Sequence, residues 1–275
     1  MASRFYDTPE GKFPSVTTIL SVVGKPALVG WSANVEREMV IIESHKLYRE
    51  NIGWPELNSI EWTLRMQELL GKKRAHTRQL DKAGEIGSQV HKLIEWTLRA
   101  ELMESVGGSP QVSPEARMAF TAWLDWKASV CLKPLVVERK VWSQTHGYAG
   151  TLDLLALVNG RETVVDWKTG KAVYPEAHLQ NAAYRTAMRE MGLGNPEAGM
   201  IVRLPKVDTD PGFEVVEAGK MPDGTLKTER QLLGFFLNAK QLWDYMEAMD
   251  TYQKKEKETI SVELATEGRD TKAVL

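Results

Sequence analysis

The 275-residue chain is long enough for one large domain or two small ones, and its 43% hydrophobic and 26% charged residues are ordinary for a globular protein. Its formal net charge of −2 argues against a broad basic surface that coats nucleic acid, although it is compatible with a local basic groove. No apolar stretch approaches the roughly 20 residues of a membrane span, and Met1–Glu10 lacks the apolar region of a signal peptide. We therefore expect no membrane contact and a cytoplasmic location.

Residues 1–130 are predicted to be mostly helical after a short extended start. Val106–Ser113 contains a Gly-Gly pair with prolines nearby, which predicts a loop. The predicted helices are Ala27–Glu50, Ser59–Leu70, Lys82–Ser105 and Pro114–Val130.

The rest of the chain mixes strands and helices. A helix is predicted to begin near Pro175, because proline suits the first helical turn, and a long amphipathic helix covers Arg230–Tyr252. From Lys254 onward the mixed charge predicts a frayed or disordered segment. The predicted strands are Leu135–Val141, Gly150–Val158, Glu162–Lys168, Gly199–Leu204 and Phe213–Glu217. This order predicts a single domain over residues 1–275, with a helical part up to 130, an α/β core with a mixed sheet over 131–254, and a flexible tail over 255–275.

A predicted hairpin brings two carboxylates together. Asn159-Gly160 between apolar runs is a strong signal for a type I′ turn, since both central residues need a positive φ. A two-residue loop places Asp153 opposite Asp166, with Lys168 on the same face. A longer loop would put the two acids on opposite faces. Like charges directly opposite each other destabilise a sheet, so the pair favours a divalent-metal site over a purely structural hairpin.

Several motifs occur in a fixed order. They are Phe13–Leu20 followed by Ala27, Leu28 and Trp31; Gly87 to Glu95 around His91; Gly150-Thr151-Leu152-Asp153; Asp166-Trp167-Lys168-Thr169-Gly170; and Gln180 with Tyr184 four residues later. Together they resemble the RecB-like branch of the PD-(D/E)XK nucleases, and the first resembles the opening of phage and mitochondrial exonucleases of that branch. The resemblance spans residues 13 to 184 and implies a PD-(D/E)XK core with a large N-terminal helical insert.

The resemblance implies a set of metal ligands. Asp153 and Asp166 would bind Mg²⁺ or Mn²⁺, because hard cations take oxygen ligands. His91 would add a nitrogen ligand, which favours Mn²⁺, and the Trp167 backbone carbonyl would complete the set. As a lone helical histidine, His91 would otherwise be a surface or core residue.

Two further residues are candidates for catalysis. Lys168 would orient the attacking water and neutralise charge on the phosphate. The alternative interpretation is an ordinary lysine on the surface of the strand. Glu138 precedes the Asp153 strand and could face the same side, or could pair with Arg139 or Lys140 as an ordinary edge-strand residue.

Predicted DNA contacts fall in two regions. Gln180 and Tyr184 resemble the pair that orders the site and touches the nucleic-acid backbone. The alternative is a helix that packs Tyr184 into the core and exposes Gln180, and both can be partly true. In the helical insert, Trp31, Trp54 and Trp62 lie near basic residues that include Lys73 and Arg74. Aromatic rings with a basic lining suit single-strand stacking, although such tryptophans are more often core and such charges solvated.

Cys131 is the only cysteine, so the chain can form neither an internal disulfide nor a Cys₄ zinc or iron–sulfur site. The resemblance then points to the cluster-free group. We expect a metal-dependent exonuclease that acts on single-stranded DNA ends in phage-type replication, recombination or repair. The alternatives are a structure-specific or restriction-type endonuclease, and a non-catalytic nucleic-acid-binding protein with the same fold.

Overall fold

A computed structural model describes residues 4–50, 59–71, 73–207, 209–210 and 212–270. It contains seven α-helices and seven β-strands within these ranges. The helices are α1 (Val16–Ile19), α2 (Pro26–Glu50), α3 (Ser59–Leu70), α4 (Ala75–Glu101), α5 (Pro114–Ala128), α6 (Pro175–Glu190) and α7 (Glu229–Asp270). The strands are β1 (Phe5–Thr8), β2 (Gly11–Pro14), β3 (Leu132–Ser143), β4 (Tyr148–Val158), β5 (Arg161–Thr169), β6 (Ala198–Leu204) and β7 (Glu214–Glu217).

The central sheet has five strands in the order β3-β4-β5-β6-β7. Its pairs are antiparallel except for β5 with β6, which are parallel and connected through α6. The predicted α/β fold with a mixed sheet is therefore confirmed. A separate antiparallel hairpin, β1–β2, precedes the sheet.

The β4–β5 hairpin has the predicted register. Val158 pairs with Arg161 and Leu154 with Val165 across a turn in which Asn159 has φ 51° and Gly160 has φ 83°. Two positive φ values are the signature of the type I′ turn that Asn-Gly favours.

Two hydrophobic cores lie on opposite faces of the sheet. Successive side chains of a strand point to opposite faces, so Val165 packs against α4 and α5 whereas Val164 packs against α6 and α7. The α4–α5 side contains Trp123 and Trp126, both stacked edge-on against the ring of Trp167. The sheet is thereby covered on both faces, as expected for a strand order with a parallel pair.

Two predicted boundaries differ from the structure by seven residues or more. Helix α4 begins at Ala75 rather than Lys82, and neither an acidic first-turn residue nor a side-chain cap marks this start in the sequence. Helix α7 continues to Asp270, whereas we expected a disordered segment from Lys254. The charged sequence of this segment is compatible with a solvated helix, which composition alone does not distinguish from a disordered tail. Trp54 and residues 271–275 lie outside the described residues.

Over the described ranges, none of the helices combines the length and apolar character that crossing a membrane requires.

Candidate metal centre and active site

Three carboxylates, Glu138, Asp153 and Asp166, lie on three neighbouring strands where regular strand pairing is interrupted. The β3–β4 ladder pairs Val137 with Leu154 and Arg139 with Leu152, which leaves Glu138 opposite Asp153 between them. The β4–β5 ladder ends at the Leu154–Val165 pair, one residue short of Asp153 and Asp166. Regular pairing is thus interrupted at the acids.

The backbone changes direction at this interruption. Leu152 and Leu154 are two residues apart on β4, yet they pack into different cores, so the side-chain alternation breaks at Asp153. On β3, Glu138 has φ 43°, a left-handed conformation that is unfavourable for a residue with a side chain. Strained backbone of this kind is concentrated at functional sites.

Helix α4 supplies a histidine to the same point. The Nδ1 atom of this residue, His91, lies 3.5 Å from Asp153 Oδ1 and 3.7 Å from Glu138 Oε1. One ligand atom each from His91, Glu138 and Asp153 lie within 4.8 Å of one another. A nitrogen and two carboxylate donors at this spacing fit a divalent cation such as Mn²⁺ or Mg²⁺.

A second group of side chains surrounds Asp166. Lys168 Nζ lies 2.7 Å from Asp166 Oδ2, and Gln180 Nε2 donates to Asp166 Oδ1 at 3.0 Å. Gln180 also accepts from Lys168 Nζ at 3.2 Å and donates to the Tyr184 hydroxyl at 3.2 Å. Gln180 and Tyr184 are both buried, so the helix places this pair inside the site rather than in solvent.

The two groups are joined through the backbone of Trp167, whose N–H donates to Asp153 Oδ2 at 2.9 Å. The ring of Trp167 points to the opposite side and is buried in the core. This bond takes the place of the missing strand pairing and fixes Asp153 relative to the Asp166–Lys168 segment.

The ionisation of the site is set by burial and mutual charge. Burial disfavours the imidazolium of His91, but the charge of Asp153 and a contact with Glu138 outweigh it and raise the pKa of His91 to about 10. Burial raises the pKa of Asp166 to about 6, although the Lys168 ammonium opposes the shift. The pKa of Asp153 is lowered despite burial, because His91 and Lys168 are positively charged beside it.

The pKa values of Glu138 and Lys168 are both raised, for different reasons. Burial raises the pKa of Glu138. Burial opposes the charged form of Lys168, but Asp166 and Asp153 overcome it and raise the pKa of the ammonium. The positive charges of His91 and Lys168 therefore offset part of the negative charge of the acids.

Glycines allow the surrounding elements to approach. A Cβ on Gly150 would lie 2.5 Å from Tyr184 Cε1 and 2.8 Å from its hydroxyl, so the ring packs on the bare backbone of β4. A Cβ on Gly87 would lie 3.0 Å from Thr169 Oγ1, where α4 passes the end of β5. Both glycines belong to the motifs read from the sequence, and close packing gives each a physical reason.

The site opens into a cavity of about 520 Å³. Glu138, Asp153, His91, Lys168, Gln180 and Tyr184 line it, whereas Asp166 is buried behind Lys168. The lining also includes side chains from the N-terminal segment and α4, namely Arg4, Tyr6, Ser15, Thr17, Lys92 and Glu95. The N-terminal segment reaches the cavity because Ser15 bridges to Ala149 and the Tyr6 hydroxyl bonds Thr151 Oγ1 at 3.0 Å.

Sequence reasoning did not identify Arg4, Tyr6 or Lys92 as site residues. No local pattern marks Arg4 or Tyr6, since only the pairing of the N-terminal segment with β4 brings them near the acids. Ser15 and Thr17 lie within the Phe13–Leu20 motif, where the Ser15 hydroxyl also caps α1 by accepting from Thr18 N.

Three predicted DNA-binding residues lie away from this cavity. Trp31 is half-buried on α2 with its ring edge against His76, at 6.5 Å between ring centres. Lys73, paired with Asp81, and Arg74 are exposed just before α4. The first residue of α4 is about 24 Å along the helix axis from His91. The structure thus brings together all the predicted catalytic side chains but not these three residues.

Comparison with known proteins agrees with the site. A family model described as PD-(D/E)XK nuclease superfamily matches residues 60–267. No curated protein matches the chain. Among solved structures, one described as "Crystal structure of SSO0001" is 13% identical and aligns over 58% of this chain and 74% of that chain, with a TM-score of 0.27 that carries no structural argument. The family match covers well over half of the chain and includes His91, Glu138, Asp153, Asp166 and Lys168, and the chain therefore belongs to the PD-(D/E)XK superfamily of metal-dependent nucleases.

Proposed function

We propose that this protein is a metal-dependent exonuclease of the RecB-like branch that hydrolyses phosphodiester bonds from single-stranded DNA ends. The observation that carries the proposal is the convergence of His91, Glu138, Asp153 and Lys168 at one cavity, with the buried Asp166 paired to Lys168. The order of the motifs supports the RecB-like assignment, since His91, Asp153, Asp166-Trp167-Lys168 and Gln180 with Tyr184 follow one another as in that branch.

His91, Glu138 and Asp153 would hold the cation, with Asp166 and the Trp167 carbonyl as further proposed ligands. A bound Mg²⁺ or Mn²⁺ supplies activation of water at neutral pH and offsets charge on the scissile phosphate. The donor set of one imidazole and several carboxylates is compatible with either ion.

Lys168 would act on the substrate side of the same site. Its ammonium is held by Asp166 and by the Gln180 side-chain oxygen, so it has a fixed position beside the acids. A fixed cation there would orient a water molecule and stabilise negative charge that develops on the phosphate oxygens. Gln180 and Tyr184 would keep Lys168 and Asp166 in place.

The dimensions and charge of the cavity support a single strand. Its volume of about 520 Å³ is that of a small-molecule pocket, which admits a nucleotide but not the width of a duplex. Arg4 and Lys92 at its lining provide positive charge for phosphates that flank the scissile bond. Trp31, Lys73 and Arg74 remain proposed contacts for a strand that runs several nucleotides beyond the cavity along α4.

The test uses single-stranded DNA in linear and covalently closed circular form, each incubated with Mg²⁺ or Mn²⁺. Degradation of the linear form alone is the expected result. The Lys168→Ala variant should be at least about 100-fold slower, because one fixed stabilising group is removed from the transition state. The matched control is Lys171→Ala, which removes an exposed lysine three residues away.

Cleavage of the circular DNA would show that the protein is an endonuclease that uses the same site, rather than an exonuclease. Binding of DNA without cleavage of either form would support a non-catalytic protein. Equal loss of activity in the Lys171→Ala control, with unchanged thermal unfolding in both variants, would contradict the role proposed for Lys168.

A further inference from the structure

A second cation lies beside Lys168 in the sheet. The parallel β5–β6 ladder pairs Lys168 with Arg203, and it pairs the residues before them, Trp167 and Val202, in the same way. Trp167 and Val202 are both buried in the α4–α5 core, so Lys168 and Arg203 lie together on the opposite face of the sheet. Like charges at neighbouring positions destabilise a sheet. Lys168 has Asp166 as its acid at 2.7 Å, so Arg203 requires acids of its own.

The acids of Arg203 come from the segment that follows β6. Arg203 is 2% exposed, and its Nε donates to Glu214 Oε2 at 3.0 Å while Nη1 donates to Asp210 Oδ2 at 2.9 Å. Nη2 donates to the carbonyl oxygen of Gly212 at 3.0 Å. These contacts approach the guanidinium from several directions in its plane and therefore fix it in one orientation.

One further bond of Arg203 leads back to the candidate active site. Nη1 also donates to the carbonyl oxygen of Gly170 at 3.0 Å, two residues after Lys168 and where the chain leaves β5. Among the described strands, β6 alone pairs with this end of β5, because the β4–β5 ladder stops at Val165. The Gly170 N–H donates to the Leu204 carbonyl at 3.2 Å, so the backbone on both sides of the Gly170 α-carbon is held from β6.

The segment that binds Arg203 is itself attached to the helical part of the protein. Lys206 Nζ donates to the Ala83 carbonyl of α4 at 3.2 Å, and Phe213 packs against the α4–α5 core. Buried ion pairs often stabilise a protein no better than apolar residues of the same size, so stability alone is a weak reason for a buried arginine. Orientation is a stronger reason, since the planar fork of a guanidinium holds several acceptors at fixed angles and a lysine does not.

We propose that Arg203 is a positioning residue that fixes the end of β5, and through it the ammonium of Lys168, by binding the Gly170 carbonyl. The expected effect on rate rests on the proposed nuclease function, whereas the expected effect on the backbone does not. Arg203 lies outside the described lining of the cavity, so it acts through Lys168 rather than on the substrate. The ligand atoms of His91, Glu138 and Asp153 lie on α4, β3 and β4 and do not depend on this contact.

The first test is Arg203→Lys, which keeps the positive charge and removes the planar fork. We expect kcat on linear single-stranded DNA to fall at least about 10-fold, because a small misplacement of a catalytic group is costly. KM and the Mn²⁺ affinity should change less than about threefold, since binding of DNA and metal is retained. The matched control is Arg185→Lys, because Arg185 is a buried arginine that binds Glu229 and the Glu197 carbonyl at the other end of β6. This control should keep the kcat of the wild type.

Hydrogen exchange tests the backbone directly and does not depend on activity. In Arg203→Lys the Gly170 amide should exchange at least about 10-fold faster than in the wild type, whereas the amides of β5 before Val165 should keep their protection. Asp210→Asn changes a half-buried residue and removes one charge that holds the guanidinium. It should move kcat and the exchange of Gly170 in the same direction by a smaller factor, and thermal unfolding checks that each variant is folded.

Unchanged exchange of the Gly170 amide in Arg203→Lys, or an equal fall of kcat in Arg185→Lys, would overturn the proposal. A wild type that cleaves no DNA would contradict the proposed function instead. In that case the exchange of Gly170 still decides whether Arg203 holds the end of β5.

Discussion

His91 supplies the nitrogen donor of the candidate cation site, beside the carboxylates of Glu138 and Asp153. Its ring lies between two carboxylates, at 3.5 Å from Asp153 and 3.7 Å from Glu138, so it takes part in any cation site formed by them. Imidazole suits Mn²⁺ better than Mg²⁺, which prefers oxygen ligands.

We expect His91→Asn to lower Mn²⁺ affinity at least about 10-fold and to lower Mg²⁺ affinity less, because the variant replaces the nitrogen ligand by an amide. Calorimetric titration of the full chain with each ion measures both constants. His76→Asn is the matched control, since His76 bonds Glu36 on the neighbouring helix instead. Equal losses for the two ions would show that His91 is not the ligand that sets the preference.

Gly150 allows the Tyr184 ring to pack directly on β4, because glycine has no side chain. The Tyr184 ring occupies the space that a Cβ would need, at 2.5 Å from its Cε1 atom. Tyr184 in turn accepts a hydrogen bond from Gln180, which holds Asp166. A methyl group at residue 150 would therefore displace the helix residues that position Asp166 and Lys168.

The Gly150→Ala variant should lose about 1–3 kcal/mol of unfolding free energy, as overpacked cores do. Combining it with Tyr184→Leu should cost less than the sum of the two single changes, because the smaller side chain removes the clash. Chemical denaturation of the four proteins gives the coupling. Strict additivity would contradict direct packing of the ring on Gly150.

At the scale of the elements, the site lies where three strands stop pairing regularly. Glu138 adopts φ 43° at the interruption, and such a conformation costs a residue with a side chain about 1–2 kcal/mol relative to glycine. The β3–β4 ladder has the same register on either side of Glu138, at the Val137–Leu154 and Arg139–Leu152 pairs, so the strained backbone is local to this residue.

Because of this strain, two substitutions at Glu138 should differ in their effect on stability. Both Glu138→Ala and Glu138→Gly should weaken Mn²⁺ binding, since each removes a carboxylate. The glycine variant should be more stable than the alanine variant by about 1 kcal/mol, because glycine adopts a positive φ without strain. Thermal unfolding without metal measures the difference. A more stable alanine variant would argue against a left-handed backbone at this residue.

The sequence predicts elements well where a local signal exists. Asn159-Gly160 identified the hairpin and its register, and the pairing of Val158 with Arg161 confirms it. The start of α4 and the extension of α7 to Asp270 were not predicted, since neither carries a local start or stop signal. Contacts between distant segments, such as Tyr184 against Gly150, follow only from the packed fold.

At the scale of the whole molecule, the sheet separates two cores and brings distant segments to one point. His91 comes from the helical half of the chain, the acids from β3, β4 and β5, and the cavity wall from the N-terminal segment. The sequence predicted the group of side chains that the structure brings together here, but not the wall that contains Arg4 and Tyr6. That wall depends on the contact of Ser15 with Ala149, which joins segments more than a hundred residues apart.

The most direct test of this account is the binding of Mn²⁺ to the full chain, measured by calorimetric titration for the wild type and for Asp153→Asn. Asp153 lies next to both His91 and the Trp167 backbone, so its charge is central to the proposed cation site. We predict that the wild type binds Mn²⁺ and that the variant, with an unchanged fold, binds at least about 100-fold more weakly. A wild type that binds no Mn²⁺ at millimolar concentration, or a variant that binds as well as the wild type, would contradict it.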